Sequence, residues 1–381
     1  MKIIHVIPTL ANAGAEVLVG NIALEQVRVG NDVIIVVFEE MHPTFSNYFL
    51  KEKLEKEILI IQIKARVSFS FFKNKIEIKS DDFEKIVNDF SPDVIHSHLY
   101  QAELVSRSII QDNIKYISHC HNNMSQFNFF AEKLNKRRIT DYLELNWLKK
   151  RYFLSDTIFI AISKNTEQYF KSKLPTRLAK NVFLLGNAIN TSHYFSKVHD
   201  DLNLVKLISV GNLLPNKGHL FLVDVVSVLK RKGYRISLDI LGFGPMENEI
   251  LEKIKKMNLE SEIFLKGSVS NVNEFLSQSN IYVHSAYSEA FGLVLLEAMA
   301  SGLPVITTDG GGNRDLIKDG FNGYLIKNRD IDLYVEKLEL LINNPQKIKE
   351  IRNYSVEFVK QFDIKYYVEK LSKLYQNAFT R

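Results

Sequence analysis

Residues 2–38 of the chain, KIIHVIPTLANAGAEVLVGNIALEQVRVGNDVIIVVF, predict its fold class. Lys2–Pro8 is a short apolar run rich in Ile and Val, which indicates a buried strand. Gly14–Val29 carries apolar residues at roughly helical spacing and is followed by Gly30, a residue type that commonly ends a helix. Asp32–Phe38 is again apolar and β-branched. Strand, helix and strand in this order predict a βαβ unit with a right-handed crossover in a parallel sheet.

The same alternation continues along the chain and predicts two α/β domains. Lys197–Asn203, KVHDDLN, is polar and separates two series of elements. We therefore expect two Rossmann-like doubly wound domains, 1–199 and 200–361, that face one another across a cleft at the carboxyl ends of their strands. Further strands are expected at Asp93–Ser97, Lys115–Cys120, Thr157–Ser163, Val205–Val210, Ile236–Leu241, Ile263–Lys266, Ile281–His284 and Val305–Thr307, and helices at Gly218–Lys232, Glu247–Met257, Val272–Gln278 and Leu293–Ala300.

Composition restricts the class of protein. The chain has 381 residues, of which 46% are hydrophobic and 24% charged, as expected of a globular protein with a large core. Its formal net charge of +5 is too small to indicate a nucleic-acid-binding protein. The single cysteine, Cys120, excludes an intramolecular disulfide and fits a reducing compartment. The chain shows neither the layout of a signal peptide nor an apolar run that could span a bilayer, so a cytoplasmic protein is expected.

Ser285–Ile306, SAYSEAFGLVLLEAMASGLPVI, contains the pattern that most strongly indicates a ligand site. Glu289 follows a predicted strand, and Gly292 precedes a predicted helix that contains Glu297. A helix N-terminus presents unpaired N–H groups and partial positive charge, which suit a phosphate, and Gly292 would let a ligand approach the backbone. Two carboxylates beside such a helix end suit the hydroxyls of a nucleotide-sugar. Glu289 taken alone is equally compatible with a solvated acid that favours the helix dipole.

This segment resembles the donor-site signature of family-four retaining glycosyltransferases, which have the GT-B fold. The match comprises EAFGLVLLE, from Glu289 to Glu297, and the AMASGLPVI that follows it. The resemblance covers nearly the whole chain, and its first half, with HSH and HCHNN, looks most like bacterial enzymes that build capsule, exopolysaccharide or O-antigen. The other motifs, in the family's order, are Ala13–Glu16 (AGAE), Asn212 with Lys217-Gly218, Gly242–Pro245 (GFGP), Lys266–Val269 (KGSV) and Gly310–Gly312.

The resemblance implies a donor site in the second domain and an acceptor site in the first. It assigns Glu289 to hydroxyls of the donor sugar, Glu297 to the ribose and Lys217 to the diphosphate. It places His121 near the transferred sugar, so that Glu289, His121 and Lys217 are the candidate catalytic residues. A C-terminal helix within 362–381 is implied to cross back onto the first domain. The other implied donor-binding residues are Gly14, Asn212, Gly242, Ser268, Val269, Phe291, Gly292 and Leu293.

The implied reaction moves a sugar from a nucleoside diphosphate, with UDP as the expected carrier, to a sugar hydroxyl, with retention of anomeric configuration. The expected acceptor is a saccharide, lipid-linked as in bacterial surface polysaccharide synthesis. A lysine and helix N-termini can stabilise the leaving diphosphate electrostatically. No Asp-x-Asp pair follows an apolar strand, so no metal ion or other cofactor is expected to be obligatory.

Some positions depart from the family pattern and keep alternatives open. Asn212 stands where the family usually has an arginine, Ala13 replaces the first of two glycines, and Asp315 stands where a glutamate is common. The missing arginine motivates a non-catalytic or weakly active sugar-nucleotide-binding subunit as an alternative. The two Rossmann-like halves also allow a nicotinamide-dependent oxidoreductase, but no G-x-G-x-x-G follows the first strand.

Two of the predicted strands end near a pair of histidines that are two positions apart in the sequence. The pairs are His96 with His98 and His119 with His121. Residues i and i+2 of a strand share a face, so each pair should project together. We interpret these residues as polar lining of the cleft. Catalytic involvement of His121 and a zinc site are the two alternatives.

Residues 127–151, FNFFAEKLNKRRITDYLELNWLKKR, hold most of the net charge of the chain. The segment has seven Lys or Arg and three Asp or Glu. Basic residues such as Lys136, Arg137 and Arg138, interleaved with aromatics such as Trp147, suit an anionic membrane surface or a diphosphate-linked lipid acceptor. This predicts a peripheral location on the inner face of the plasma membrane. The alternative is a solvated helix whose aromatic side chains pack inward.

Overall fold

The computed structural model describes residues 1–11, 13–40, 51–70, 75–124, 136–196 and 203–379. The chain forms two compact units, each with its own parallel sheet. The first unit comprises Met1–Asn187 together with Ile364–Arg381, and the second comprises Ala188–Asp363. The predicted fold class, two doubly wound α/β domains, is confirmed.

The first unit is built around a parallel sheet flanked by helices. Its described strands are β1 (Lys2–Ile7), β2 (Asp32–Val37), β3 (Leu59–Gln62), β4 (Arg66–Ser70), β5 (Lys75–Lys79), β6 (Val94–His98), β7 (Lys115–Cys120), β8 (Ile158–Ala161) and β9 (Val182–Leu184). Its described helices up to this point are α1 (Gly14–Arg28), α2 (Lys51–Glu57), α3 (Asp81–Phe90), α4 (Tyr100–Ser106), α5 (Lys136–Leu154), α6 (Lys164–Lys173) and α7 (Thr176–Ala179). The sheet order is β3-β2-β1-β6-β7-β8-β9, and β4 and β5 form a separate antiparallel pair.

The second unit repeats this architecture. Its described strands are β10 (Val205–Val210), β11 (Ile236–Leu241), β12 (Ile263–Gly267), β13 (Ile281–His284), β14 (Val305–Thr308) and β15 (Gly323–Ile326), in the order β12-β11-β10-β13-β14-β15. Its described helices are α8 (His219–Arg231), α9 (Glu247–Lys256), α10 (Val272–Ser277), α11 (Leu293–Ala300), α12 (Ile331–Ile342) and α13 (Pro345–Val359). The last helix, α14 (Ile364–Phe379), belongs to the first unit, where it lies beside α1.

Both faces of the first sheet are covered, which explains why its strands are nearly continuously apolar. Ile4 and Val6 of β1 pack with Phe83 and Val87 of α3 in one buried cluster. Because alternate residues of a strand point to opposite faces, His5 lies on the other face, where its ring bonds to a side chain of α1. The two faces of β1 therefore differ, with apolar side chains on one and a buried histidine on the other.

Several predicted elements have the predicted bounds, among them β7, β10, β11, β13 and α11. The prediction omitted the edge strands β3, β9 and β15. These strands are three or four residues long, and each lies at an edge of its sheet.

The division between the units lies at Asn187–Ala188 and Asp363–Ile364, whereas the sequence placed it at 199–200 and 361–362. The segment after Ala188 is held by the second unit. Ile189 N donates to Phe362 O at 3.0 Å, and Asn273 Nδ2 donates to His193 O at 3.2 Å. Because residues 189 and 193 already bond to the second unit, the boundary lies before the polar segment Lys197–Asn203 that the sequence suggested.

Across the described residues we find no helix that combines the length and apolarity needed to cross a membrane.

Candidate active site

The two central strands of the second sheet, β10 and β13, are hydrogen-bonded neighbours although β11 and β12 separate them in the sequence. The order of the chain reverses between them, and ligands of open α/β sheets bind at the carboxyl ends of the strands at such a point. The loop after β10 carries Lys217 and the loop after β13 carries Glu289. The topology therefore brings these two predicted residues to the same edge of the sheet.

Lys217 and Glu289 form an ion pair at this edge. Lys217 Nζ lies 2.6 Å from Glu289 Oε2, and the side chains are only 22% and 12% exposed. His284, the last residue of β13, places Nε2 3.3 Å from the same oxygen. Burial opposes ionisation of Glu289, but the contact with His284 and the charge of Lys217 outweigh it and lower the pKa of the carboxyl to about 2. Glu289 is therefore a carboxylate at neutral pH, and both of its oxygens can accept hydrogen bonds from hydroxyls.

The glycine triplet at residues 310–312 holds the backbone of Glu289. Glu289 N donates to Gly310 O at 2.8 Å, and Gly312 N donates to Glu289 O at 2.8 Å. A Cβ on Gly312 would lie 1.9 Å from Ala290 O, so no larger residue fits this position. The loops after β13 and β14 are thus locked together beneath the carboxylate.

Helix α11 begins next to this carboxylate. Gly292 adopts a left-handed conformation, with φ of 98°, as the residue before the helix, and Leu293 is the first helical residue. The first-turn N–H groups of a helix have no intrahelical acceptor, which makes this end suited to a phosphate. Phe291 is 4% exposed and packs edge-to-face on Phe362, with ring centroids 6.3 Å apart. Its side chain therefore anchors the loop, and only its backbone remains for the predicted donor contact.

Glu297 lies one turn into α11, in an environment that the sequence did not predict. Burial raises the pKa of its carboxyl to about 7, against the opposing effect of a hydrogen bond with the Tyr194 phenol. Tyr194 belongs to the segment after Ala188 that joins the second unit. The residue assigned to the ribose is therefore only partly ionised at neutral pH and already has a phenol partner.

The remaining predicted residues of the second unit line the same carboxyl edge. Asn212 is exposed in the loop after β10, and Gly242 begins the loop after β11. A Cβ on Gly242 would lie 2.1 Å from Gly211 O, so the two loops touch through their backbones. Ser268 and Val269 are partly buried after β12. These residues therefore lie in loops that follow adjacent strands of the sheet, and the loops that carry Lys217 and Glu289 follow the two central strands.

In the first unit, Gly14 is exposed and is the first residue of α1. Ala13 precedes it with φ of −133°, an extended conformation that any residue adopts. The replacement of a glycine at Ala13 therefore brings no backbone strain in this structure.

The predicted location of the histidines is wrong for most of them. His96, His98 and His119 have no exposed surface, and they lie inside the first unit rather than lining an open surface. Only His121, just past the end of β7, is exposed at all, at 8%. The pairs were recognised correctly as sharing a face, but that face is covered by α1 and α14, which the sequence could not show. His5 of β1 joins the same cluster and was not predicted.

The basic segment is described only in part, since residues 127–135 lie outside the described residues. Lys136, Arg137 and Arg138 begin α5, of which the backbone is described at these positions. Trp147 is partly buried against a core cluster and stacks with Arg151, whose guanidinium carbon lies 5.0 Å from the ring centroid. Tyr142 is 44% exposed and Leu154 is 67% exposed. Trp147 packs inward and Tyr142 faces solvent, so the inward packing of the aromatic side chains holds for the first and not for the second.

Two family models match the chain. The model described as Glycosyltransferase Family 4 matches residues 12–193, and that of Glycosyl transferases group 1 matches residues 193–358. They divide the chain almost where the two structural units divide. The chain belongs to the family-four glycosyltransferases.

Relatives of this glycosyltransferase have moderate sequence identity. An uncharacterized glycosyltransferase of Methanocaldococcus jannaschii is 28% identical over 74% of this chain and 80% of its own. The capsular polysaccharide biosynthesis glycosyltransferase CapM of Staphylococcus aureus is 30% identical over 53% of this chain and 57% of its own. The N-acetylgalactosamine-N,N'-diacetylbacillosaminyl-diphospho-undecaprenol 4-alpha-N-acetylgalactosaminyltransferase of Campylobacter jejuni is 28% identical over 48% of this chain and 50% of its own.

Solved structures establish the fold of the glycosyltransferase. HepE from Anabaena, crystallised with UDP and glucose, superposes with a TM-score of 0.77, covers 98% of each chain and is 18% identical. Sucrose-phosphate synthase from Thermosynechococcus elongatus has a TM-score of 0.78 at 17% identity and covers 100% of this chain and 99% of its own. At these identities the likeness shows the GT-B fold alone.

Sequence reasoning missed two residues that contact the candidate donor site of the glycosyltransferase. His284 is the last residue of the buried strand β13. A histidine at the carboxyl end of an apolar strand could have indicated a site residue from the sequence. Arg329 gave no signal, because it lies far from the motifs in sequence. Its guanidinium stacks on the ring of Tyr287 at 3.6 Å and bonds to Ser285 O. A Cβ on Gly218 would come within 2.9 Å of Arg329, so this arginine packs behind the turn that carries Lys217.

Proposed function

We propose that this glycosyltransferase transfers a sugar from a nucleoside-diphosphate sugar to a sugar hydroxyl of a lipid-linked saccharide, with retention of configuration, in the synthesis of a bacterial surface polysaccharide. UDP is the proposed carrier. The observation that carries the proposal is the meeting of Lys217 with Glu289 beside the N-terminus of α11. A cation, a carboxylate and a helix end are the three groups that a nucleotide-sugar needs.

The geometry supports distinct roles for the three groups. The diphosphate takes over the Lys217 ammonium from Glu289 and accepts hydrogen bonds from the first turn of α11. Glu289, released from the ion pair, accepts hydrogen bonds from the donor sugar. Glu297 contacts the ribose from the same helix. These groups stabilise the negative charge that develops on the departing nucleoside diphosphate.

In the proposed reaction the acceptor hydroxyl oxygen bonds to the anomeric carbon while the bond from that carbon to the diphosphate oxygen breaks. The hydroxyl proton leaves on the departing phosphate, so atoms and charges balance without a further reactant. Glu289 and the phosphate charge stabilise the oxocarbenium-like centre. Because Lys217 and the helix end supply the positive potential, transfer is expected to proceed in the presence of a chelator of divalent cations.

The acceptor assignment rests on the first unit and on the relatives. CapM is named for capsular polysaccharide synthesis, and the Campylobacter relative for a diphospho-undecaprenol acceptor. Helix α5 begins with Lys136, Arg137 and Arg138, which suits the diphosphate of such a lipid or an anionic membrane surface. The protein is accordingly proposed to act as a peripheral protein on the cytoplasmic face of the membrane.

The test is a panel of nucleotide-sugars incubated with the protein and membrane extracts that contain lipid-linked saccharides. Release of nucleoside diphosphate and a mass increase of one sugar on the lipid fraction are expected, with and without a chelator. Binding of a nucleotide-sugar without transfer to any acceptor would replace the proposal by the non-catalytic subunit. Binding of a nicotinamide dinucleotide in preference to nucleotide-sugars would replace it by the oxidoreductase.

A further inference from the structure

One face of the first sheet carries a cluster of buried imidazoles. Its members come from β1, β6 and the end of β7, and they are aligned across neighbouring strands: His5 pairs in register with His96, and His98 with His119. Four of the five rings are 0% exposed, and His121 is 8% exposed. Among the described residues, His121 is therefore the one member of this cluster that has exposed surface.

Three of these rings form a hydrogen-bonded chain that ends on an amide. His121 Nε2 lies 3.0 Å from His98 Nδ1, and His98 Nε2 lies 2.9 Å from His5 Nδ1. His5 Nε2 lies 2.7 Å from Gln26 Oε1 of α1. The chain thus runs inward from the one exposed imidazole to a fully buried glutamine.

All three imidazoles of the chain are neutral near pH 7. Burial lowers the pKa of His5 to about 4 and that of His121 to about 3, and it lowers the pKa of His98 well below its usual value. A neutral imidazole has one N–H donor and one acceptor nitrogen. Each gap in the chain therefore holds one proton, and all the N–H groups must point in the same direction.

Tyr375 of α14 sets that direction. Its hydroxyl lies 2.6 Å from His96 Nδ1, a distance typical of an O–H donor and short for an N–H donor. Its single proton is used there, so the Gln26 side-chain atom that faces Tyr375 at 3.4 Å must be the amide nitrogen. The amide oxygen then faces His5 and accepts from its Nε2–H. It follows that His98 and His121 also carry their protons on Nε2.

We propose that Gln26, His5 and His98, oriented by Tyr375, are positioning residues that hold His121 in the Nε2–H tautomer, so that its Nδ1 presents a lone pair as a hydrogen-bond acceptor for a saccharide hydroxyl. The nitrogen that remains available on a histidine is decided by the hydrogen bond of the other nitrogen. The chain ends on an amide, which does not take up a proton, so it orients His121 and does not conduct protons. The contact with saccharide rests on the proposed function; the tautomer does not.

A metal ion at this place would require a different geometry. Two groups of three histidines that share His98 have their ring nitrogens within 4.8 Å of one another. However, both nitrogens of His98 and both of His5 already lie at hydrogen-bond distance from a partner, one partner for each nitrogen. Ligand atoms of one ion converge on a common point instead of pairing along a chain. We therefore assign the cluster to hydrogen bonding, and the experiment includes the metal as an outcome.

The test is a two-bond ¹H–¹⁵N correlation spectrum of the full-length protein labelled with ¹⁵N-histidine, recorded at pH 7 without any donor or acceptor. His121 is assigned by comparison with His121→Gln. The expected pattern for His121 is that of a neutral imidazole protonated on Nε2. An Nδ1–H pattern, an imidazolium pattern, or a stoichiometric metal ion in the purified protein whose removal shifts these nitrogens would each overturn the proposal.

Two matched phenol-to-phenyl changes on α14 separate orientation from simple packing. Tyr375→Phe removes the group that orients Gln26, so the amide can turn and His121 is expected to show both tautomers. Tyr367→Phe removes a phenol on the same helix that lies 3.5 Å from His119 Nε2 and is outside the chain. This control is expected to leave the His121 pattern unchanged. Equal effects of the two changes, or no effect of Tyr375→Phe in a folded protein, would contradict the proposal.

Transfer assays then test the use of this tautomer. Tyr375→Phe is expected to lower kcat in proportion to the fraction of His121 that has left the Nε2–H tautomer, about twofold for an equal mixture, with the KM for the donor unchanged. Mixed tautomers with an unchanged kcat would overturn the role in transfer. Failure of the proposed function would look different, because wild-type protein would then release no nucleoside diphosphate while its tautomer spectrum still shows Nε2–H.

Discussion

The ammonium of Lys217 and the carboxylate of Glu289, 72 positions apart in the chain, lie 2.6 Å from one another at the carboxyl edge of the second sheet. The two residues assigned to the diphosphate and to the donor sugar therefore neutralise each other. A diphosphate that enters this edge competes with Glu289 for the same ammonium. Loss of the Lys217 charge should therefore weaken binding of the diphosphate, whereas loss of the Glu289 charge should leave it unchanged or strengthen it.

Lys217→Ala should weaken binding of UDP by ~1–3 kcal/mol, which is roughly 5- to 150-fold in Kd, the usual scale for a charged hydrogen bond. Isothermal titration calorimetry measures it. The control is Lys232→Ala, which breaks an ion pair with Glu339 at 2.8 Å in the same unit, away from this edge. If both variants bind UDP as the wild type does, Lys217 does not bind the diphosphate.

Glu289→Gln should have opposite effects on binding and on transfer. UDP has no sugar to lose a contact, and Lys217 no longer has a competing carboxylate, so UDP should bind as tightly as to the wild type or more tightly. Transfer should fall about 100-fold or more, because the carboxylate that faces the donor sugar is lost. Calorimetry and a nucleotide-release assay check the two halves. Weaker UDP binding together with normal turnover would exclude Glu289 from the sugar site.

Asn212→Arg should strengthen the donor site. Asn212 is exposed in the loop after β10, so a longer side chain fits without displacing the core. A second cation beside the diphosphate should lower the Kd for UDP by about fivefold or more at low salt, and the gain should shrink as salt rises. Titrations at two salt concentrations measure this. A salt-independent or absent gain would mean that residue 212 does not face the diphosphate.

Glu297→Gln should stabilise the protein at alkaline pH. Burial raises the pKa of this carboxyl to about 7 in the folded protein, from 4.5, so the folded state binds more protons than the unfolded state between these values. Stability of the wild type therefore falls as pH rises from about 4.5 to about 7 and then stays level. The variant lacks this loss. Its free energy of unfolding minus that of the wild type should therefore be larger at pH 8 than at pH 4, by on the order of 1–3 kcal/mol.

Thermal denaturation of wild type and Glu297→Gln across this pH range checks the effect. Tyr194→Phe is the companion variant, since the hydrogen bond of Tyr194 lowers the pKa of Glu297. Its removal should extend the loss of stability to higher pH. A constant difference in Tm between Glu297→Gln and wild type from pH 4 to pH 8 would show that Glu297 is not held as a neutral acid.

Replacing Lys136, Arg137 and Arg138 by Gln should reduce binding to vesicles that contain anionic lipid. Each basic residue near such a surface contributes about 1 kcal/mol, so co-sedimentation should drop strongly at low salt. The control replaces Lys255, Lys256 and Lys349, exposed lysines of the second unit, and changes the net charge equally. Equal loss in both triple variants would indicate a general charge effect and would contradict a docking surface at α5.

Much of the fold followed from periodicity alone. Parallel strands such as Val205–Val210 and Ile281–His284 are short, mainly apolar runs, so their bounds could be predicted. The candidate donor-site residues were named from the family motif. Two features did not follow: the raised pKa of Glu297, which depends on a tyrosine from another segment, and the burial of the paired histidines beneath two helices that lie at opposite ends of the chain.

The sequence by itself determined the two α/β domains and the family, and it named the candidate donor-site residues, because hydrophobic period and motif spacing are local properties of the chain. Only the tertiary structure decided that Lys217 and Glu289 pair, that His284 and Arg329 support them, and that His121 terminates a chain of buried imidazoles. These relations depend on strand order and on which helix covers which face. Desolvation and hydrogen bonding act between groups that meet in space, and the order of residues along the chain does not specify those meetings.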